Sequence, residues 1–118
     1  MTRLTLALLA LAASGVAHAT CIYPRAPATV PDGATATYEQ MVEAQKAVKQ
    51  FNEDINAYNA CLDLEMTNFE KSGQYDENRL TELRAMQAKK NNAAVDELTA
   101  LATRWSEEIK AFKAKGAQ

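Results

Sequence analysis

The chain has 118 residues, 15 acidic against 13 basic side chains, and a net charge near −2. That length gives room for one small domain, and charges of both signs are interspersed, so no basic footprint for nucleic acid or anionic membrane exists. A single histidine, four glycines and two cysteines leave little raw material for metal, phosphate or acid–base chemistry.

Residues 1–19 read as an export signal. Arg3 supplies a short basic region, Leu4 to Val16 is an apolar stretch too short to span a bilayer, and Ala17-His18-Ala19 is a small-x-small cleavage pattern. Cleavage after Ala19 leaves 118 less 19, or 99 residues, beginning at Thr20. It removes Arg3 and His18, so 12 basic and 15 acidic residues remain. A lipid-modified Cys21 is the competing reading, because it follows the apolar stretch, but His18-Ala19-Thr20 departs from a lipobox. No later stretch approaches the roughly 20 apolar residues of an integral span. The expected location is the periplasm or the outside of the cell, where Cys21 and Cys61 most simply form a disulfide. Two free thiols or an intermolecular bridge are the alternatives. Two thiolates without histidine fall short of a structural zinc site.

Residues 20–36 form an extended arm. All three prolines, Pro24, Pro27 and Pro31, lie here and favour polyproline II. Pro31-Asp32-Gly33 reads as a turn into the next element.

Helix 1 is expected over about 38–72. Met41, Ala44, Val48, Phe51, Ile55, Tyr58, Leu62 and Phe69 recur at spacings of three and four, with Glu65 the one charged residue on the seam. Thr37 and Gln40 make a capping box, and Gly73 supplies the stop. Helix 2 is expected over about 76–113, with Asp76 as cap and Leu80, Leu83, Ala94, Leu98, Leu101, Trp105, Ile109 and Phe112 as its stripe. The polar run Lys89-Lys90-Asn91-Asn92 is a candidate break, yet without proline or glycine it favours continuity. Gly116 and the last residues are expected to fray.

A connection of a few residues makes the helices antiparallel. The fold class is therefore all-α: an antiparallel two-helix hairpin of long helices, residues 37–115, with a proline-containing arm tied to helix 1 by the disulfide. With the turn centred near Gln74, Phe69 meets Leu80, Phe51 meets Leu98, Val48 meets Leu101, and Trp105 lies over Ala44. The weak layer is Tyr58 and Leu62 opposite Gln87 and Lys90, where the arm arrives with Ile22 and Tyr23 as a third wall.

Geometry permits that arm. Thr37 to Cys61 spans about 36 Å of helix, and Cys21 to about Thr35 spans about 43 Å of polyproline II. The expected docking face on helix 1 is Ala47, Gln50, Asp54 and Ala57: two small alanines for close approach, and two polar side chains for unpaired backbone amides. Eight helical residues match about 12 Å of arm, which brings Arg25 level with Asp54 as its ion-pair partner. The competing reading leaves Ala47 and Ala57 as plain helix formers and Gln50 and Asp54 facing water.

No catalytic, cofactor or metal residues are assigned. The expected mature chain lacks histidine, the commonest general base and metal ligand. Gly33, Gly73 and Gly116 are too far apart for a phosphate loop. The pairs Glu53-Asp54 and Glu107-Glu108 diverge on a helix and read as solvated faces. Asn52, Asn56 and Asn59 form a polar stripe, and Phe51, Tyr58, Trp105 and Phe112 read as core.

The arrangement Cys21-x-x-Pro24, Pro31-Asp32-Gly33-Ala34, Met41-x-x-Ala44-Gln45-x-x-Val48 and Tyr58-x-x-Cys61-Leu62 resembles small exported proteobacterial proteins of unknown function. The resemblance covers residues 21–62. It implies a periplasmic setting, a Cys21–Cys61 bridge and no particular activity.

The function expected from these features is that of a noncatalytic exported helical protein that binds an unknown protein partner or itself. Helical hairpins offer long side surfaces for such association. For a homodimer the expected leftover stripe is Leu64, Met66, Met86 and Val95. A small envelope enzyme accessory or ligand-binding protein is the alternative.

Overall fold

The computed structural model describes residues 20–116. The expected signal segment, residues 1–19, lies outside the described residues. Two long helices, α1 (Tyr38–Ser72) and α2 (Glu77–Gly116), pack against each other, and residues 20–36 run as an arm without regular secondary structure.

Both ends of α1 are set by local chemistry. Thr37 has extended backbone angles, its hydroxyl accepts from the Gln40 amide at 3.2 Å, and the Gln40 side chain accepts from the Thr37 amide at 2.8 Å. This reciprocal pair satisfies two of the amide donors that a helix start leaves unpaired. At the other end Gly73 takes φ 66°, the left-handed conformation that closes a helix and that a Cβ would strain.

The connection is short, as antiparallel packing requires. Asp76 caps α2, its carboxylate accepting from the Arg79 amide at 2.8 Å while Tyr75 packs edge-on against Phe69. The helix continues without interruption through Lys89 to Asn92. It also continues through Gly116, where fraying is expected from the sequence. Lys115 explains the difference: its ammonium donates to the Ala36 carbonyl at 2.6 Å and lies 4.9 Å from the Phe112 ring centre, tying the last turn to the arm.

The core is a thin seam. Phe51, Ile55, Tyr58 and Leu62 of α1 and Ala94 and Leu101 of α2 form one buried cluster, with Val48 and Leu98 partly buried beside it. Ala94 is wholly buried, its small side chain letting the helices approach where the α1 side chains are large. Across the polar layer Gln87 donates to Asp63 at 2.6 Å, and nearer the turn Arg84 pairs with Glu70 at 3.0 Å and Glu77 at 2.9 Å. These groups are solvent-exposed, so they mark the helix register more than they stabilise it.

A disulfide joins Cys21 to Cys61, with 5.7 Å between the Cα atoms. The arm supplies the third side of the seam: Cys21, Ala26 and Val30 pack on the core cluster, and the Tyr23 ring meets Tyr58 edge-on at 5.2 Å. Ile22, expected in that wall, instead faces solvent at 85% exposure. In an extended segment neighbouring side chains point in different directions, and Cys21 has taken the inward one.

At its far end the arm turns on Asp32. The Asp32 carboxylate accepts from the Ala34 amide at 2.9 Å, and its carbonyl accepts from the Thr35 and Ala36 amides at 3.1 and 2.8 Å. Gly33 is buried against the α2 backbone, where a Cβ would overlap the Glu108 carbonyl and come within 2.9 Å of the Phe112 nitrogen. Backbone is there on both sides, so nothing flexible can yield. Gly33→Ala is expected to lift the arm's end from α2 at a cost of about 1–3 kcal/mol, the usual range for overpacking. Denaturant unfolding of the oxidised protein checks this; unchanged stability would mean that the Gly33 contact is not maintained in solution.

Candidate functional site

Two long grooves run along a two-helix hairpin, one on each side of the seam. Here the arm occupies one of them and leaves the other open.

On the occupied side the arm's polar anchors fall on α2. The Tyr23 hydroxyl donates to Glu97 at 2.5 Å, the Gly33 amide donates to Glu108 at 2.7 Å, and Lys115 reaches the Ala36 carbonyl. Between those points Ala26 and Val30 meet the apolar seam. The arm therefore lies in the groove between the helices and not along the outer flank of α1.

This corrects the docking face expected from the sequence. Ala47, Gln50 and Ala57 are exposed, and Gln50 donates to Asp54 at 2.8 Å within α1. Arg25 is exposed and, among the described residues, makes no ion pair with Asp54. An exposed ion pair is worth at most about 1 kcal/mol, whereas the seam lets Cys21, Ala26 and Val30 together remove apolar surface from water at about 25 cal/mol per Å². Alignment over the seam wins. Ala47 and Ala57 are left as helix formers, and Cys21 and Cys61 are the pair that the fold brings together as expected.

The open groove holds about 850 Å³ and lies on the opposite side. Thr99, Ser106 and Lys110 line it, each two residues from Glu97 or Glu108 on the arm side, and two residues are about 200° of helix rotation. Its apolar lining is Val48, Leu98, Ala102 and Trp105, the chain's one tryptophan. Its rim carries amides and hydroxyls from Gln45, Asn52, Thr99, Thr103 and Ser106, with Lys49, Lys110 and Glu107 as the charged groups. Sequence reasoning placed Trp105 in the core over Ala44; the ring is only half-buried and lines the groove wall beside Val48. The missed signal was the stripe Thr99, Ala102, Thr103, Ser106, whose small side chains, three of them hydroxyls, flank the seam and leave it uncovered.

The asparagine stripe divides. Asn52 lines the open groove, Asn56 is exposed, and Asn59 is half-buried with an Oδ1 that has no hydrogen-bond partner among the described residues. Among the described residues no group of three or more histidine, cysteine or acidic side chains is gathered to hold a metal, and no helix is long and apolar enough to cross a membrane.

One titratable group is shifted on the arm side. The hydrogen bond that Tyr23 donates to Glu97, together with partial desolvation and the Glu97 charge, pushes the phenol up to about 12. The folded pKa lies above the unfolded value near 10, so the contribution of this bond is complete below pH 10 and is lost as pH rises through 12. Tyr23→Phe is therefore expected to remove a phenolate absorbance step near pH 12. A titration in which Tyr23→Phe removes an ordinary step near pH 10 would refute the Tyr23–Glu97 bond.

Compared with family models, curated proteins and solved structures, the chain matches none of them.

Proposed function

We propose that this is an exported, noncatalytic helical protein that works by binding another protein along a side of its hairpin. The observation that carries the reading is the asymmetry of the two grooves: one is filled by the chain's own disulfide-anchored arm, and the other is open over an apolar floor with Trp105. An arm that completes one side of the core leaves the second side free for a partner, and partner recognition by helical hairpins uses such surfaces.

Export is supported by the Cys21–Cys61 bridge, which persists in oxidising compartments, and by the basic, apolar and Ala17-His18-Ala19 regions that precede it. The resemblance of the Cys21-x-x-Pro24 and Tyr58-x-x-Cys61-Leu62 pattern to small exported proteobacterial proteins points the same way. The noncatalytic part of the reading draws on the sparse chemistry of the expected mature chain, without histidine or a glycine-rich loop.

Two measurements test the reading. The natively produced protein, alkylated before lysis, is expected to begin at Thr20 and to have a mass about 2 Da below the reduced value, as one disulfide requires. Alkylated Cys21 or Cys61, or retention of the protein in the cytoplasm, would refute export. Photocrosslinking residues placed at Ala57, Ala88 and Thr99 should give a discrete product from at least one face in living cells. Absence of a product from all three would refute partner binding.

A further inference from the structure

The two grooves are built from the same two helices, so the side that is filled shows what kind of chain such a groove accepts. On that side the occupant is extended, carries prolines at positions 24, 27 and 31, places small or branched side chains (Ala26, Val30) on the seam, and is held by scattered polar contacts. The arm's hydrogen bonds to α2 are made by the Tyr23 side chain before the first proline and by the Gly33 amide after the last; an extended proline-containing backbone has no internal hydrogen bonds and takes side chains or water as partners.

The open groove offers those groups. Gln45, Asn52, Thr99, Thr103 and Ser106 line its rim, and Val48, Leu98 and the Trp105 ring lie beneath. Flat aromatic surfaces flanked by hydrogen-bonding side chains are how proline-rich segments are recognised in general. Leu98 to Lys110 is twelve steps of helix, about 18 Å, which about six residues of polyproline II would span. The charged groups on the rim are Lys49, Lys110 and Glu107, a net of one positive charge on a chain of net charge −2.

A second copy of the hairpin fits less well. A stable protein interface buries about 1,600 Å² in total, and homodimer interfaces are markedly apolar. Here the large floor residues Val48, Leu98 and Trp105 are already half-buried by the hairpin itself, and the rim is polar. Leu64 and Met86, two of the exposed apolar residues expected to drive self-association, do not line this groove, and Met66 is buried within the protein. The floor suits a narrow occupant.

We propose that the open groove between α1 and α2 binds an extended, proline-containing segment of a partner protein, with acidic side chains facing Lys49 and Lys110. This deepens the partner-binding reading and rests on it. Trp105 makes the test direct, since it is the only tryptophan and lies in the groove wall.

The probe is a capped hexapeptide of sequence APDAPD, titrated into the protein with its disulfide intact while Trp105 fluorescence is followed. Two further peptides serve as controls: the basic counterpart APKAPK, and a 14-residue helix-forming alanine peptide carrying two glutamates. A saturable change with APDAPD, at least tenfold weaker with either control, is expected. Ala102→Arg, a substitution at an exposed groove position outside the buried core, is expected to abolish the response while leaving helix content unchanged. The double variant Lys49→Glu, Lys110→Glu is expected to reverse the preference toward APKAPK.

No saturable change, equal binding of acidic and basic peptides, tighter binding of the helical peptide, or a response that survives Ala102→Arg would overturn the proposal. Dimerisation in sedimentation that Ala102→Arg abolishes would overturn it too, in favour of a second copy. Its failure is distinct from failure of the partner-binding reading: crosslinked product from Ala57 or Ala88 but not from Thr99 would keep a partner and remove it from this groove.

Discussion

Everything in this structure depends on the burial of an arm in the groove between two helices that could not complete a core by themselves. A helix pair buries a stripe on each member and leaves both flanks of the seam wet. Cys21, Ala26 and Val30 close one flank over Phe51, Ile55, Tyr58 and Leu101. The Cys21–Cys61 bridge makes that closure durable, because it keeps two residues 40 apart in sequence together in the unfolded chain and so removes the entropy of opening that loop. In the chain-entropy model this is worth about 4 kcal/mol, a large share of the 5–15 kcal/mol that ordinary domains possess.

The arm is held differently at its two ends. Near Cys21 the attachment is covalent and the surrounding polar contact, Tyr23 to Glu97, is solvent-exposed. Near Gly33 there is no covalent tie, and close packing takes its place: Gly33 rests on the α2 backbone, Glu108 receives its amide, and Lys115 receives help from the Ala36 carbonyl in ordering the last turn. The arm consequently fastens α2 as well as α1. A segment that looks like a leader to helix 1 also holds the C-terminal end of helix 2.

The same construction gives the molecule two unlike sides. Where the arm lies, the seam is covered, and Glu97 and Glu108 accept hydrogen bonds from Tyr23 and Gly33. On the other side Val48, Leu98 and Trp105 sit beneath a rim of hydroxyls, amides and lysines with no segment of the described chain above them. Such a surface is too polar to read as missing core, yet its floor is too apolar to read as a plain solvated face.

Local signals read from the sequence determined most of the secondary structure: the Thr37–Gln40 box, the Gly73 stop, the Asp76 cap and the stripes that make both helices amphipathic. Each is legible because it acts over one or two turns, where spacing in sequence is spacing in space. Two cysteines in one short chain likewise made the Cys21–Cys61 tie foreseeable. The path of the arm was not legible. Distance alone allowed it to follow Ala47, Gln50, Asp54 and Ala57 with Arg25 on Asp54, and only the packed helices decided that it lies over the seam toward Glu97 and Glu108. The groove walled by Trp105 is a product of that same choice. Which flank an extended segment covers is settled by how much apolar surface each flank offers once both helices are in place, and that quantity does not exist until the tertiary structure has formed.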